Sequence, residues 1–335
     1  MTIIKLKVPK GLSNKTQTQP KNDHPNSHTS PPTGPKPASE LIPFIDKLTV
    51  LVTPHSKGMA QAIHQTMVGA WDDKSFLQPA PWLNGFNGGY AINLPNHEHQ
   101  PRLYYRHAAG LAEKLRFDFN PSALGQTGMD VFNGQLKSVM NDGWEYAIEH
   151  GKITRLDVAV DLHAVRLDDF LYLAKQGMKK QDWSTDGHLE NVVYGVSKGN
   201  QTLIYDKEAE LIAKGASWEG KTRVRIERRL RNPSITLKGL HKLKNPFAGT
   251  TLVQNFPPPP PGGKEWEWSM FEDSVRFRGV DKALSLLPKD KKAKYRKHLK
   301  ACQVTWWDAE VVWNNWPATL KALVVGDKAH FAKMP

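Results

Sequence analysis

The sequence KITRLDVAVDLHA, residues 152–164, alternates apolar and polar positions as a strand does. In that conformation Asp157 and Asp161 point to one face with the small Ala159 between them, while Leu156, Val158 and Val160 point to a core. The segment RVRIERRLRN, 223–232, has the same period. Arg225, Glu227 and Arg229 fall on one side, and Val224, Ile226 and Arg228 on the other. Glu227 is the lone acid among Lys221, Arg223, Arg225, Arg228, Arg229 and Arg231. If these two strands are neighbours, Asp157, Asp161 and Glu227 form an all-oxygen site suited to Mg²⁺ or Mn²⁺, ions that polarise a phosphodiester and neutralise developing charge. The bland alternative is a half-solvated antiparallel pair in which Glu227 is neutralised by its arginine neighbours.

Tyr205 follows two apolar residues and precedes Asp206 and Lys207 in LIYDK, which places its hydroxyl at the emerging end of a strand. A phenol oxygen is a workable nucleophile in phosphoryl transfer because the aryl ester it forms can be reversed. Lys207, two residues on, shares its face and can favour phenolate or hold phosphate. Against this stands the ordinary role of strand tyrosines, which is packing. His97-Glu98-His99 has Glu between its histidines and is flanked by Pro95-Asn96 and Gln100-Pro101, so it reads as a solvated loop rather than a metal-binding strand. There is no Gly-rich phosphate loop ending in Lys-Ser/Thr, and neither Cys302 nor any Ser has a nucleophile's setting.

The run KDKKAKYRKHLK, read as a helix, offers Lys291, Lys294, Lys297 and Lys300 with His298 near one polar face, to which phosphates would bind in a salt-dependent way. Trp306, Trp307, Trp313 and Trp316 could stack bases, but their spacing favours a core.

Charge and length fit this chemistry. The chain has 335 residues, 46 Lys+Arg against 33 Asp+Glu, and a formal charge of +13, which predicts attraction to polyanions, nucleic acid first. One cysteine excludes an internal disulfide and a thiolate metal cage built from this chain alone. No apolar run approaches a membrane span, and MTIIKLKVPKG lacks the core of a secretory signal, so the expectation is a soluble protein of a reducing cytoplasm.

The elements that must position these residues follow from pattern. Residues 1–40 read as a disordered basic tail rich in Pro, Ser, Asn and Lys. A strand over PFIDKLTVLV, a helix over 56–71, a meander through GYAINL, RLYYR and EKLRFDF, and one helix over 129–148 come next. Then follow the 152–164 strand, a helix over RLDDFLYLAKQ, strands at NVVYGV and QTLIYDK joined by SKGN, and the 223–232 strand. This predicts an α+β fold: a mostly antiparallel sheet with helices covering one face, plus a basic, partly helical C-terminal region. The expected division is a catalytic domain over 41–250, a Pro/Gly linker over 251–263 around PPPPPGG, and a basic Trp-rich DNA-binding region over 264–335.

Taken in order, LRFDFNP, ITRLDVAVD, GVSKGNQTLIYDK and RVRIERRLRN resemble the replication initiation factor family of rolling-circle plasmids and filamentous phages, which includes relaxases of conjugative elements. The resemblance covers about residues 42–232. It implies a metal-dependent, site-specific DNA nickase whose tyrosine becomes joined to a 5′ phosphate and leaves a 3′ hydroxyl primer. The family's Y-[DE]-K tyrosine falls on Tyr205, with Asp157, Asp161 and Glu227 as metal ligands. Arg225, Arg229 and Lys207 would offset charge at the scissile phosphate, and Arg223, Arg231, Lys291, Lys294, Lys297 and Lys300 would bind DNA. The partners implied are origin DNA, single-stranded or supercoiled, a host helicase and polymerase, and a second copy of the chain, in a bacterial cytoplasm without membrane attachment. A non-catalytic DNA-binding protein on the same scaffold is the alternative.

Overall fold

The computed structural model of the chain describes residues 40–72, 77–81, 83–173, 179–185, 188–215, 222–254, 256–321 and 323. The expected basic tail, apart from residue 40, lies outside them. Strand β1 (Phe44–Val52) buries Leu48, Val50 and Val52 on one side, and α1 (Lys57–Asp72) follows Pro54. The meander is present as β2 (Leu77–Pro79), β3 (Gly88–Ile92), β4 (Arg102–Ala108) and β5 (Leu111–Phe119). The FNP sequence that ends β5 is a helix start: the Asn120 side chain accepts from the Ala123 N–H at 3.0 Å, and Pro121 occupies the first turn, where its missing N–H costs nothing.

The single helix expected over 129–148 is two, α2 (Pro121–Val139) and α3 (Gly143–His150). Gly143 has φ +53°, and a Cβ there would meet Asn133 Oδ1 at 2.6 Å, so the chain reverses at a residue that only glycine suits. The Asn133 Oδ1 instead accepts from the Trp144 N–H at 2.8 Å, which ties the two helices together.

Next come β6 (Lys152–His163), β7 (Phe170–Leu173), β8 (Lys180–Thr185), β9 (His188–Gly195), β10 (Gln201–Asp206), α4 (Lys207–Ala213) and β11 (Arg223–Arg231). The helix expected over RLDDFLYLAKQ is a short 3-10 turn, Leu167–Asp169, running into β7. The Asp169 carboxylate accepts from the Arg166 N–H at 2.7 Å and closes that turn. Phe170 and Tyr172 then bury on alternate positions, and β7 pairs with β12 (Thr251–Gln254). Four consecutive apolar residues carry no period, so a short strand and a helix are indistinguishable there by pattern.

Among the described residues ten strands form one antiparallel sheet in the order β2-β3-β4-β5-β1-β6-β11-β10-β9-β8. The strands of the two candidate acid segments, β6 and β11, are neighbours at its centre, as the metal-site reading required. Helix α1 packs on β5, and α2 and α3 on β1. Their core holds Phe117, Phe119, Phe132 and Trp144, with the Phe119 and Trp144 rings edge to face at 5.4 Å.

Beyond β12 lie α5 (Glu265–Arg278), α6 (Val280–Ser285), α7 (Lys289–Ala301), α8 (Ala309–Trp313) and α9 (Trp316–Lys321). Helices α5, α6 and α7 build a second core with Leu173 of β7 and Val253 of β12. The stretch expected as a linker therefore begins with a strand. After α7 the chain returns to the first core, where Trp307 and Trp316 are buried and donate to the carbonyls of Thr250 at 3.0 Å and Leu240 at 3.1 Å. These tryptophans pack rather than stack bases, and the described residues form one compact unit.

Candidate active site

Tyr205, Arg225 and Arg229 emerge on the face of the sheet opposite α2 and α3, while Lys207, expected on the same strand face as Tyr205, is the first residue of α4. Three transverse rows cross β10, β11 and β6: Gln201–Arg229–Asp157, Leu203–Glu227–Ala159 and Tyr205–Arg225–Asp161. Ala159, opposite Glu227, carries only a methyl group. Tyr205 sits diagonally from Glu227, within reach of a long cross-strand pair.

In that arrangement the Tyr205 hydroxyl donates to Glu227 Oε2 at 3.2 Å, and Arg229 Nη2 donates to Glu227 Oε1 at 2.9 Å. Tyr205 was expected to emerge at a strand end, but it is 9% exposed, because α4 begins at the very next turn. It lines a cavity of about 280 Å³, with Glu227, Arg229, Asn191 and Glu210 among the walls. Burial and the neighbouring Glu227 charge push the Tyr205 phenol well above its ordinary value. Burial and then Asp157 push the Glu227 carboxyl up to about 7. Lys207 lies with its ammonium 5.8 Å from the Tyr205 ring centre and is ion-paired with Glu210.

The other two acids are differently placed. Asp161 accepts from Arg225 Nε at 2.6 Å and Nη2 at 2.9 Å, and Arg225 Nη1 reaches Asp46 of β1 at 2.6 Å. Arg223 approaches Asp161 from the strand end at 3.4 Å. Asp157, 1% exposed rather than solvent-facing, is held by Arg155 through contacts of 2.5 to 3.0 Å and by Arg229 Nε at 3.3 Å. All three acids thus share one face, but arginine nitrogens fill the positions that a cation would take. Among the described residues no group of three or more His, Cys, Asp or Glu side chains is placed to hold a metal ion, and the donor set as arranged does not fit Mg²⁺ or Mn²⁺.

Arg225, expected at the phosphate, is the centre of the Asp46–Asp161 clamp and its side chain is 9% exposed. Arg231 is half-buried, and its N–H donates to Asn200 Oδ1 at 2.9 Å across the β9–β10 turn. On α7, Tyr295 and Leu299 face the second core; Lys294, Lys297 and Lys300 are exposed on the outer side. Lys291 is not on that face, since a spacing of three turns each successive lysine by 60°. It pairs with Glu267 of α5 at 2.9 Å. His97 and His99 flank a turn, as expected of a loop, but His99 Nε2 accepts from the Asn120 N–H at 2.9 Å.

Two residues essential to this geometry escaped the sequence reading, Asp46 and Arg155. Asp46 interrupts the apolar side of β1, which is the signal that marks it, whereas Arg155 falls in phase on the polar side of β6 and carries no such signal.

No family model matches the chain, and no curated protein matches it. Among solved structures, a rolling circle replication initiator protein from Geobacillus stearothermophilus is similar over 72% of this chain and 98% of that one, at 14% identity and a TM-score of 0.36. DynU16, a protein of the dynemicin biosynthetic locus, is similar over 75% of this chain and 98% of its own, at 13% identity and a TM-score of 0.16. Both likenesses are too loose to carry anything over to this chain's residues. Among the described residues no helix is long and apolar enough to cross a membrane.

Proposed function

We propose that this chain is a rolling-circle replication initiator that nicks origin DNA with Tyr205. The observation that carries the reading is the hydrogen bond from the Tyr205 hydroxyl to Glu227, with Arg229 orienting that carboxylate, in the wall of a cavity. Nucleophile, base and orienting group in sequence is the arrangement that activates a weak nucleophile.

In the proposed step the Glu227 carboxylate takes the phenol proton as the Tyr205 oxygen attacks phosphorus in line. Because the phenol is held well above its ordinary value, the proton leaves in concert with attack rather than before it. The P–O3′ bond breaks, the 3′ oxygen takes a proton from a water molecule, the hydroxide left is neutralised by the proton that Glu227 gives back to solvent, and the 5′ phosphate stays on Tyr205 as an ester. Reversal of the same steps closes the strand without ATP. Arg229, on the cavity wall beside Glu227, offsets charge on the non-bridging oxygens. Lys294, Lys297 and Lys300 hold the DNA backbone.

The test is incubation with supercoiled origin DNA, with Mg²⁺ or Mn²⁺ and with chelator. Relaxed circles with protein attached are expected, and Tyr205→Phe should remove them while leaving binding intact. Nicking by Tyr205→Phe at the wild-type rate would exclude the proposed nucleophile. Binding without nicking by the wild type would favour the non-catalytic alternative, which the burial of Tyr205 and the ion-paired acids support.

A further inference from the structure

Helix α5 is apolar on two opposite sides. Trp268, Phe271 and Val275 pack into the second core, whereas Trp266, Met270 and Phe277 are 60%, 64% and 85% exposed. With Asp273, the exposed set has the 4-3-4 spacing of a coiled-coil seam, and at 100° per residue it lies opposite the buried set. Exposed apolar side chains clustered on one helix face mark a contact surface.

The charges of α5 indicate what covers it. Glu265 and Glu267 occupy its first turn, and Arg276 and Arg278 its last. Lay two such helices antiparallel about a two-fold axis through the middle of the seam. Trp266 of each copy then meets Phe277 of the other, and Met270 meets Asp273. On one flank Glu265 comes beside Arg276 of the second copy, and on the other Glu267 comes beside Arg278. The macrodipoles also oppose, whereas a parallel pairing would set like charges together. The surface is therefore complementary to itself in one orientation, which is what an isologous contact requires. Within one copy Glu267 accepts from Lys291, Arg276 lies over the Phe256 ring at 4.3 Å and 3.9 Å from Asp273, and Arg278 donates to Ser274 at 3.2 Å, so the pairing shares or exchanges these contacts.

We propose that the outer face of α5 joins two copies of this chain through an antiparallel, two-fold-related helix pair. One helix face is smaller than the ~1,000 Å² of a stable interface, so the dimer is weak and concentration-dependent. Asp273 in the seam weakens it further and fixes the register, as polar seam residues do. The proposal does not depend on the reading of Tyr205.

The test is sedimentation of the full chain between about 1 and 100 µM, bracketing the affinity of a weak interface. The average mass should rise toward that of two chains. Phe277→Asp should weaken association at least tenfold and Asp273→Leu should tighten it at least tenfold. Both positions are exposed, so unchanged thermal unfolding checks that the fold is kept. In a Cys302→Ser background, an equal mixture of Trp266→Cys and Phe277→Cys chains should form a disulfide-linked dimer on mild oxidation, and either chain alone should form far less. A monomer at every concentration overturns the proposal. So does a dimer indifferent to Phe277→Asp, or a monomer whose Trp266 fluorescence is quenched by oligothymidylate.

Discussion

Two carboxylate settings lie side by side on the polar face of this sheet. Asp161 is fully compensated: both its oxygens accept from one guanidinium, and the same arginine is shared with Asp46. Glu227 shares a single hydrogen bond with Arg229 and one with a phenol, and burial holds its carboxyl at about 7. A fully paired acid is structural, because its charge is already spent. An incompletely paired one, poised to exchange a proton near neutrality beside a hydroxyl, is equipped for chemistry. The difference comes from register: Arg225 is directly opposite Asp161, while Glu227 stands opposite Ala159, which offers no charge.

The largest way to break this comparison is to empty the clamp. Arg225→Met leaves Asp161 and Asp46 without their main cation and should cost about 3–5 kcal/mol, read as a lower denaturant midpoint at unchanged slope. Adding Asp161→Leu should recover much of that loss, since an apolar pair of similar volume is well tolerated at such a site. A loss under 1 kcal/mol in the single variant would show that the clamp is not a structural element.

Glu227 should respond to pH instead. Its folded-state value, raised from 4.5 to about 7, means that the folded chain binds more protons than the unfolded one between those limits. Its stabilising contribution is therefore complete below pH 4.5 and lost as pH rises through 7. That is about 3 kcal/mol from this one group, absent in Glu227→Gln. The nicking rate, which needs the carboxylate form as base, should rise over the same interval. A wild type and a Glu227→Gln variant with parallel stability profiles from pH 4.5 to 7.5 would contradict the poised-acid assignment.

Period-two patterning was enough to place β6 and β11 and to sort their side chains by face, because each has a largely apolar and a polar side; β10 mixes both kinds on each face and was legible only from Leu203-Ile204 before Tyr205 and the charges after it. Adjacency of β6 and β11 was only a condition in that reading; strand order depends on contacts far apart in sequence, such as Lys47 against Asp157. The same limit hid the clamp. Alternation puts Asp157 and Asp161 on the polar side, but whether a cation or an arginine meets them depends on which neighbour carries Arg155, Arg225 or Arg229. It hid the burial of Tyr205 too, since α4, which closes over the strand end, begins with Lys207-Glu208 and lacks an apolar stripe to announce it. β7 was misread for want of any period, and the role of Trp307 and Trp316 was legible from their spacing alone.

The smallest effect sharpens the contrast most, because it isolates a single hydrogen bond. Tyr205→Phe keeps the ring that packs under α4 and removes only the hydroxyl that donates to Glu227 Oε2. Above pH 7, where Glu227 is ionised, its carboxylate loses one of two donors, so the variant should be about 1 kcal/mol less stable. Below pH 6 the acid is neutral and bonds more weakly to the phenol, so the cost should shrink. The lost donor also disfavours the charged form, so Glu227 should titrate higher in the variant than in the wild type. In a double-mutant cycle with Glu227→Gln at pH 8, a coupling of about 1 kcal/mol is expected. Coupling near zero would mean that the phenol and the carboxylate do not share a proton. The clamp on Asp161 and the pair at Glu227 would then be two versions of one structural device.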